Sequence, residues 1–341
     1  MIGGSPANYV TPGVRGATIA GGGVPAGNTD PDIAGEEPNR VTDAYGTVGG
    51  GYANQAGDDT GTTIDRAFAT IGGGGQNEAE GLGSTVAGGS RNTASGEHAT
   101  VGGGHDNLAV GSSSSIAGGS LNVAGGSLST VGGGEDNVAS GIRSTVPGGR
   151  LNTASGSFSV AMGNRAKALG DGSFAFADSS NFDFSASTVN AFRVRATGGV
   201  RFVVDIDGTG ATTWSCVLNT GGGWTCASDR NLKQDLQRVD GATVLDRLAA
   251  MPVYAWSPKG RNAHVRHYGP TAQDFHAAFG LGDDDTMIGM QDADGVALAA
   301  IQGLNAKLET RIAQQSREIA ALRERVDALL ARLARPGAVE R

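Results

Sequence analysis

Apolar residues along the first half of the chain recur at a fixed step. Ile71, Val86, Val101, Ile116, Val131 and Val146 are each 15 residues from the last, and a glycine pair follows each within three residues. Asn77, Asn92, Asn107, Asn122, Asn137 and Asn152 keep the same step, and Ala79, Ala94, Ala109, Ala124, Ala139 and Ala154 stand two places after them. A period held this strictly marks a repeat architecture. Such a unit is too short for a helix pair and suits two strands of about five residues with two turns. Each unit is then one coil of a parallel β-roll solenoid, stacked at roughly 4.8 Å on the next. The aliphatic residue points inward, the glycines permit turns and close backbone approach, and the asparagines stack as a hydrogen-bonded ladder.

Weaker copies extend the pattern. Asn39 and Asn54 are also 15 apart, whereas Asn54 to Asn77 is 23, which predicts an insertion around residues 58–66. Residues 159–164 read as a shortened last coil. About ten coils make a rod of roughly 48 Å. Beyond residue 168 the pattern changes. Phe174, Phe176, Phe182 and Phe184 alternate and predict a return of aromatic burial in a β-rich neck. Residues 192–196 read as a strand, 197–199 as a turn, and 200–206 as the second strand of a hairpin. Arg193 and Arg195 are read as a solvated strand face.

The last stretch has helical spacing. Ile312, Ile319, Val326 and Leu333 take a positions of a heptad, with Leu322 and Leu329 at d and the polar Gln315 at another d. Ile301, Leu304 and Leu308 form an earlier segment offset by a stutter. This predicts a coiled coil.

Composition sharpens the picture. Glycine numbers 58 of 341 residues, and no Phe, Tyr or Trp falls between Phe68 and Phe158. A compact domain of that length normally buries several aromatics, so this part is held together differently. No Gly-X-Y period is present, which excludes collagen. A net charge of −8 argues against nucleic acid or an anionic membrane as partner. No apolar run approaches a membrane span. Met1-Ile2-Gly3-Gly4-Ser5 lacks a charged and an apolar region, so no secretion signal is read there. A single coil has a thin core of Val, Ile and Ala and buries little apolar area alone, so association of chains is expected.

No phosphate-binding loop, metal site or cofactor site is expected. There is no Gly-Lys-Ser/Thr. Asp106 and Asp136 occupy equivalent places, but Arg91, Leu121 and Leu151 stand there in other copies, so no calcium repeat is formed. Cys216 and Cys226 either close a short disulfide loop or remain as two thiols; neither has a Cys-x-x-Cys partner for zinc. His264 and His276 are read as surface residues.

Chemistry concentrates where the glycine-rich body meets the helical tail, at Ser228-Asp229-Arg230-Asn231-Leu232-Lys233. A serine hydroxyl is a poor nucleophile until a base takes its proton, and a lysine serves as that base when burial lowers its pKa. Lys233 is one of four lysines among 26 Lys and Arg, and an arginine in its place stays protonated. The bland alternative is that Ser228 or Asp229 caps a helix beginning near Asn231.

The Ser-Asp-x-x-x-Lys box, with His267-Tyr268-Gly269-Pro270-Thr271-Ala272-Gln273-Asp274 downstream, resembles the endosialidase-type intramolecular chaperone domain. That family is a self-cleaving serine peptidase found at the C-termini of phage tail spikes and related trimeric fibres. The resemblance runs roughly from Ala227 to the end; Tyr268, Pro270 and Thr271 replace aliphatic residues common in the family's box. It implies scission at Ala227–Ser228, with Ser228 as nucleophile, Lys233 as base, Asp229 positioning the lysine or capping the turn, and His267 as support or as a packed histidine. Upstream, Val-Ala-Gly-Gly, Asn-Thr-Ala-Ser-Gly and Val-Ala-Met-Gly-Asn resemble the heads of trimeric autotransporter adhesins, which implies a trimeric left-handed roll.

The expected fold is mainly β: roll repeats at 1–168, a β neck at 169–226, a small α+β chaperone-peptidase domain at 227–300, a trimeric coiled coil at 301–334 and a disordered tail at 335–341. The expected function is a homotrimeric tail-fibre or adhesin-like surface protein of a virion or bacterial cell surface. A cell-surface receptor or polysaccharide is its expected partner. Its C-terminal domain drives trimerisation and then cuts itself off. The alternative is a purely structural trimeric adhesin with a permanent stalk. A polysaccharide-degrading spike lacks support, because acids do not recur at fixed inward positions.

Overall fold

In the computed structural model, which describes residues 1–30, 33, 35–260, 264–282 and 284–333, the repeat forms coils of a parallel β-solenoid. Two sheets, of 11 and 12 strands, run its length and pair coil to coil. Thr100 and Val101 lie against Ser115 and Ile116 in one sheet; Leu108 and Ala109 lie against Val123 and Ala124 in the other. The residues at 334–341, with the expected tail at 335–341, fall outside the described residues.

Each strand of a regular coil has two residues, not about five. The reason lies in the turns. From Asn54 to Asn152 each coil passes the left-handed region at the residue before its asparagine, as at Arg91 (φ 53°), Asp106 (φ 55°) and Leu121 (φ 57°). A second such residue stands on the opposite turn, as at His98 (φ 56°) and Leu128 (φ 59°). Two such turns leave room for one inward side chain per strand: Val101 on one side, Ala109 on the other, both fully buried. The variable Asp106, Leu121 and Asp136 are therefore turn positions whose backbone shape recurs from coil to coil.

The asparagines form the expected ladder. Asn107 Nδ2 donates to Asn92 Oδ1 (3.0 Å), Gly103 O (3.0 Å) and Gly119 O (2.8 Å). Its Oδ1 accepts from the backbone N–H and side-chain amide of Asn122 (3.1 and 3.0 Å). Gly119 (φ 90°) explains the glycine column: a Cβ there lies 2.2 Å from the carbonyl oxygen of Gly134. Beside this satisfied column runs an unsatisfied one. The hydroxyls of Ser114, Ser129, Ser144, Ser159 and Ser173 are buried without a partner.

These columns set opposite expectations. Asn107→Ala strands the Asn122 amides and the Gly119 carbonyl and should cost on the order of 3 kcal/mol. Ser113→Ala, on the exposed turn, should change little, and Ser129→Ala should be neutral or stabilise by about 1 kcal/mol. Thermal melts compare the three; an Asn107→Ala variant as stable as Ser113→Ala contradicts the ladder.

The 58–66 insertion is where the sequence places it, and it is ordered from inside the roll. Asp43, 1 % exposed, accepts the backbone N–H groups of Asp58 and Arg66 (3.3 Å each). Burial pushes its carboxyl up. Asn77 still donates to Asn54 Oδ1 (3.1 Å), so the ladder closes across the longer coil.

Three expectations for the neck fail. The parallel ladders do not stop near residue 168; Phe184–Ala186 and Phe192–Arg195 are their last strands. The alternating phenylalanines do not form a new core. Ala175, Ala177 and Ala186 point inward and are buried, while Phe182 and Phe192 are 76 % and 72 % exposed. Alanine fills the interior here; Phe174 stacks on Phe192 outside it (4.8 Å), and Phe184 packs half-buried against the core. Nor does Phe192–Arg195 form a hairpin with the next strand, Val200–Ile206. That strand pairs with Thr212–Leu218, which pairs with Trp224–Cys226, giving a separate antiparallel sheet.

Arg195 is no solvated surface residue. Its Nε meets Asp178 Oδ1 (2.9 Å), and its remaining nitrogens donate to the carbonyls of Phe182 (2.6 Å), Ser180 (2.9 Å) and Asn164 (3.3 Å). Asp178 Oδ2 accepts the backbone N–H and hydroxyl of Thr197 (2.9 and 2.8 Å). The Thr197 amide, then its hydroxyl, hold the Asp178 carboxyl far below the usual range. Because the folded pKa is depressed, this stabilisation is present above the unfolded value of about 3.9 and is lost as pH falls through the folded one. Amide exchange at Thr197 should accelerate below about pH 4, beyond its intrinsic pH dependence. Asp178→Asn should remove that extra step; an unchanged profile refutes the assignment.

The second compact unit, Ser228–Arg341, is small and mixed. Helix α1 is Gly241–Ala250, α2 is Ala272–Phe279 and α3 is Met290–Leu333. Strands Tyr254–Trp256 and His267–Gly269 form an antiparallel pair. Val244, Phe275, Val296 and Ala300 make the core. Helix α1 begins against α3 through glycine: a Cβ on Gly303 lies 2.1 Å from the Gly241 carbonyl oxygen. Ile312, Ile319, Leu322, Val326 and Leu329 project from the rest of α3 and are all more than half exposed. No helix among the described residues is long and apolar enough to cross a membrane.

Candidate functional site

The strand Trp224–Cys226 carries the chain to Ala227, whose N–H donates to Ser215 O (2.9 Å). The boundary between the two compact units falls between Ala227 and Ser228, the bond singled out from the sequence. Cys216 and Cys226 lie opposite each other in register and form a disulfide, which decides between the two states left open above.

A short 3₁₀ turn follows at Arg230–Leu232. Asp229 is its N-cap, accepting the Asn231 N–H on Oδ1 (2.9 Å). Lys233 ends it, with its N–H on Arg230 O (3.2 Å). This tight i→i+3 turn shortens the path between the two ends of the box. Lys233 Nζ thereby reaches Ser228 Oγ at 2.7 Å. The cap and the Ser228–Lys233 contact involve different residues of the box. Asp229 caps, as the bland alternative requires of one residue, while Ser228 and Lys233 face each other within proton-transfer distance. Both side chains are exposed in the single chain.

His267 is placed elsewhere in its contacts. It pairs in register with Trp256, and its ring lies 4.7 Å from the Trp256 ring. The structure brings Ser228 and Lys233 together and gives His267 an aromatic packing partner. His276 sits on α2, its Nδ1 3.0 Å from Leu281 O.

Sequence reasoning missed what the rest of the downstream box does. Thr271 is the N-cap of α2: its hydroxyl accepts the Asp274 N–H (3.1 Å) and donates to Asp274 Oδ2 (2.6 Å). Thr271-Ala272-Gln273-Asp274 thus has the spacing of a capping box, a signal readable from sequence. Its effect is to start α2 directly after the strand that carries His267 and to seat Phe275 in the core.

No curated protein matches the chain. Residues 228–280, which begin at the candidate nucleophile and end at the left-handed cap Gly280 of α2, match the family described as chaperone of endosialidase.

Proposed function

We propose that the protein is the subunit of a homotrimeric tail fibre or spike whose C-terminal unit guides assembly and then severs itself at Ala227–Ser228. A chaperone-of-endosialidase match that follows a parallel β-solenoid in the chain fits a tail-fibre or spike-like protein. The observation that carries the cleavage step is the 2.7 Å approach of Lys233 Nζ to Ser228 Oγ at the first residue of the family match. Lys233, as a neutral amine, takes the hydroxyl proton while Oγ attacks the Ala227 carbonyl carbon. The C–N bond breaks, Lys233 returns the proton to the departing amine of Ser228, and an ester joins Ala227 to Oγ. Water hydrolyses it and leaves a carboxylate on Ala227.

Assembly supplies what the single chain lacks. Burial between chains disfavours the charged form of a lysine and so favours the neutral amine that a base requires. The exposed heptad stripe of α3 forms a coiled coil, and the outward rings of Phe182 and Phe192 offer further surface for copies to cover. The receptor or polysaccharide partner belongs to the same proposal. The second reading, an uncut adhesin with a permanent stalk, is favoured by the capping role of Asp229. Intact mass of the freshly assembled protein separates them: a fragment beginning at Ser228 supports cleavage, and full-length chain in stable trimers defeats it.

A further inference from the structure

The strand that ends at the proposed cut is weakly held. Trp224–Cys226 has three residues, all exposed, at the edge of its sheet. Its ring contact is Trp224 on Phe202 (5.8 Å). Its connection, residues 219–223, is glycine-rich, closed by Asn219 Oδ1 accepting the N–H groups of Gly221 (3.0 Å) and Gly223 (3.1 Å). A short, exposed, terminal edge strand frays readily. One covalent restraint opposes this, the disulfide from Cys226 to Cys216 on the neighbouring strand, formed by the two cysteines of the chain.

We propose that the Cys216–Cys226 disulfide is a redox-sensitive latch that keeps the new C-terminus of the cut body folded. This rests on scission at Ala227–Ser228, which removes the chain that otherwise continues the strand. With the latch closed, Trp224–Ala227 stays in register with residues 215–218 and keeps the Ala227 N–H on Ser215 O. A dithiol reductant opens it. One reductant thiolate attacks a cysteine sulfur, the S–S bond breaks, and the second reductant thiol resolves the mixed disulfide. The products are two cysteine thiols and a cyclic oxidised reductant. The freed terminus is then held by the exposed ladder and the Trp224–Phe202 ring contact, with no covalent restraint. A cut fibre is thus protected in oxidising surroundings and loses its end in reducing ones.

The test uses the protein after self-cleavage, its body verified by intact mass to end at Ala227. Carboxypeptidase is added to oxidised body and to body reduced with dithiothreitol and alkylated. Loss of residues from Ala227 through Trp224, followed by mass, should be roughly 10-fold or more faster after reduction. The Cys216→Ser/Cys226→Ser body should match the reduced protein in either condition. Equal trimming rates overturn the latch, as does alkylation of both cysteines in the unreduced protein. If intact mass shows no scission, that failure belongs to the cleavage reading. Amide exchange at Thr225 in the full chain, with and without dithiothreitol, then decides whether the disulfide holds the strand: faster exchange on reduction retains the restraint, and unchanged exchange removes it.

Discussion

Ser228→Ala leaves the chain uncut. The variant lacks the atom proposed to attack the Ala227 carbonyl, so mass spectrometry should find full-length protein alone. Lys233→Ala keeps the nucleophile but loses the group 2.7 Å from it. Loss of a positioned general base costs roughly 10²–10⁴-fold in rate, which turns cleavage during assembly into a process too slow to see on a gel. Lys233→Arg is the sharper variant. It keeps the charge and much of the reach, but a guanidinium does not give up its proton to become a base. It should be as inactive as Lys233→Ala, and all three variants should still form trimers by light scattering. An active Lys233→Arg removes lysine as the base and leaves the 3₁₀ turn with a capping role only. Asp229→Asn should cut nearly as well as the parent, because asparagine also caps.

Deleting residues 312–341 should abolish assembly. The removed stretch contains Ile312, Ile319, Leu322, Val326 and Leu329, which in the single chain leave an apolar stripe in water. Packing that stripe against its copies is the source of register in a coiled coil. The solenoid cannot replace it. Its coils contribute thin cores of Val, Ile and Ala, and its ladders pair each coil with the next of the same chain, so they set no register between chains. The shortened chain should therefore be monomeric or aggregated, and uncut, because the exposed dyad never gains its burial. A chain ending at Ala227, expressed alone, should fail in the same way. Body produced by cleavage of the full chain should stay trimeric, since unfolding is then limited by rate. Spontaneous trimers from the chain ending at Ala227 defeat the chaperone role.

Much of this was written in local pattern. A strict 15-residue step fixes which residue of each coil points inward, because side chains alternate along a strand and each turn must close at the same place. The asparagine ladder follows from the same step, and so does the insertion where the step lengthens to 23. The spacing of Ser228 and Lys233 is likewise local: one tight turn joins them, and no distant element is needed.

What the sequence left open depends on partners brought from elsewhere in the chain. The phenylalanines at 174 and 176 alternate like a core strand, but their neighbours Ala175 and Ala177 take the inward face of the roll. Val200–Ile206 could pair with the strand before or after it; it pairs with Thr212–Leu218, and Phe192–Arg195 is left as the last strand of the parallel ladder. Arg195 looks solvated until Asp178 and the carbonyls of Asn164, Ser180 and Phe182 converge on it. The two cysteines, ten residues apart, pair because antiparallel register sets them opposite each other. His267 meets Trp256 for the same reason. Local sequence determines conformation within a turn or a repeat, where the interacting groups are neighbours in the chain. Register between distant strands, and the width of the space they enclose, are properties of the assembled sheets, and these decided which side chains are buried, bonded or left facing water.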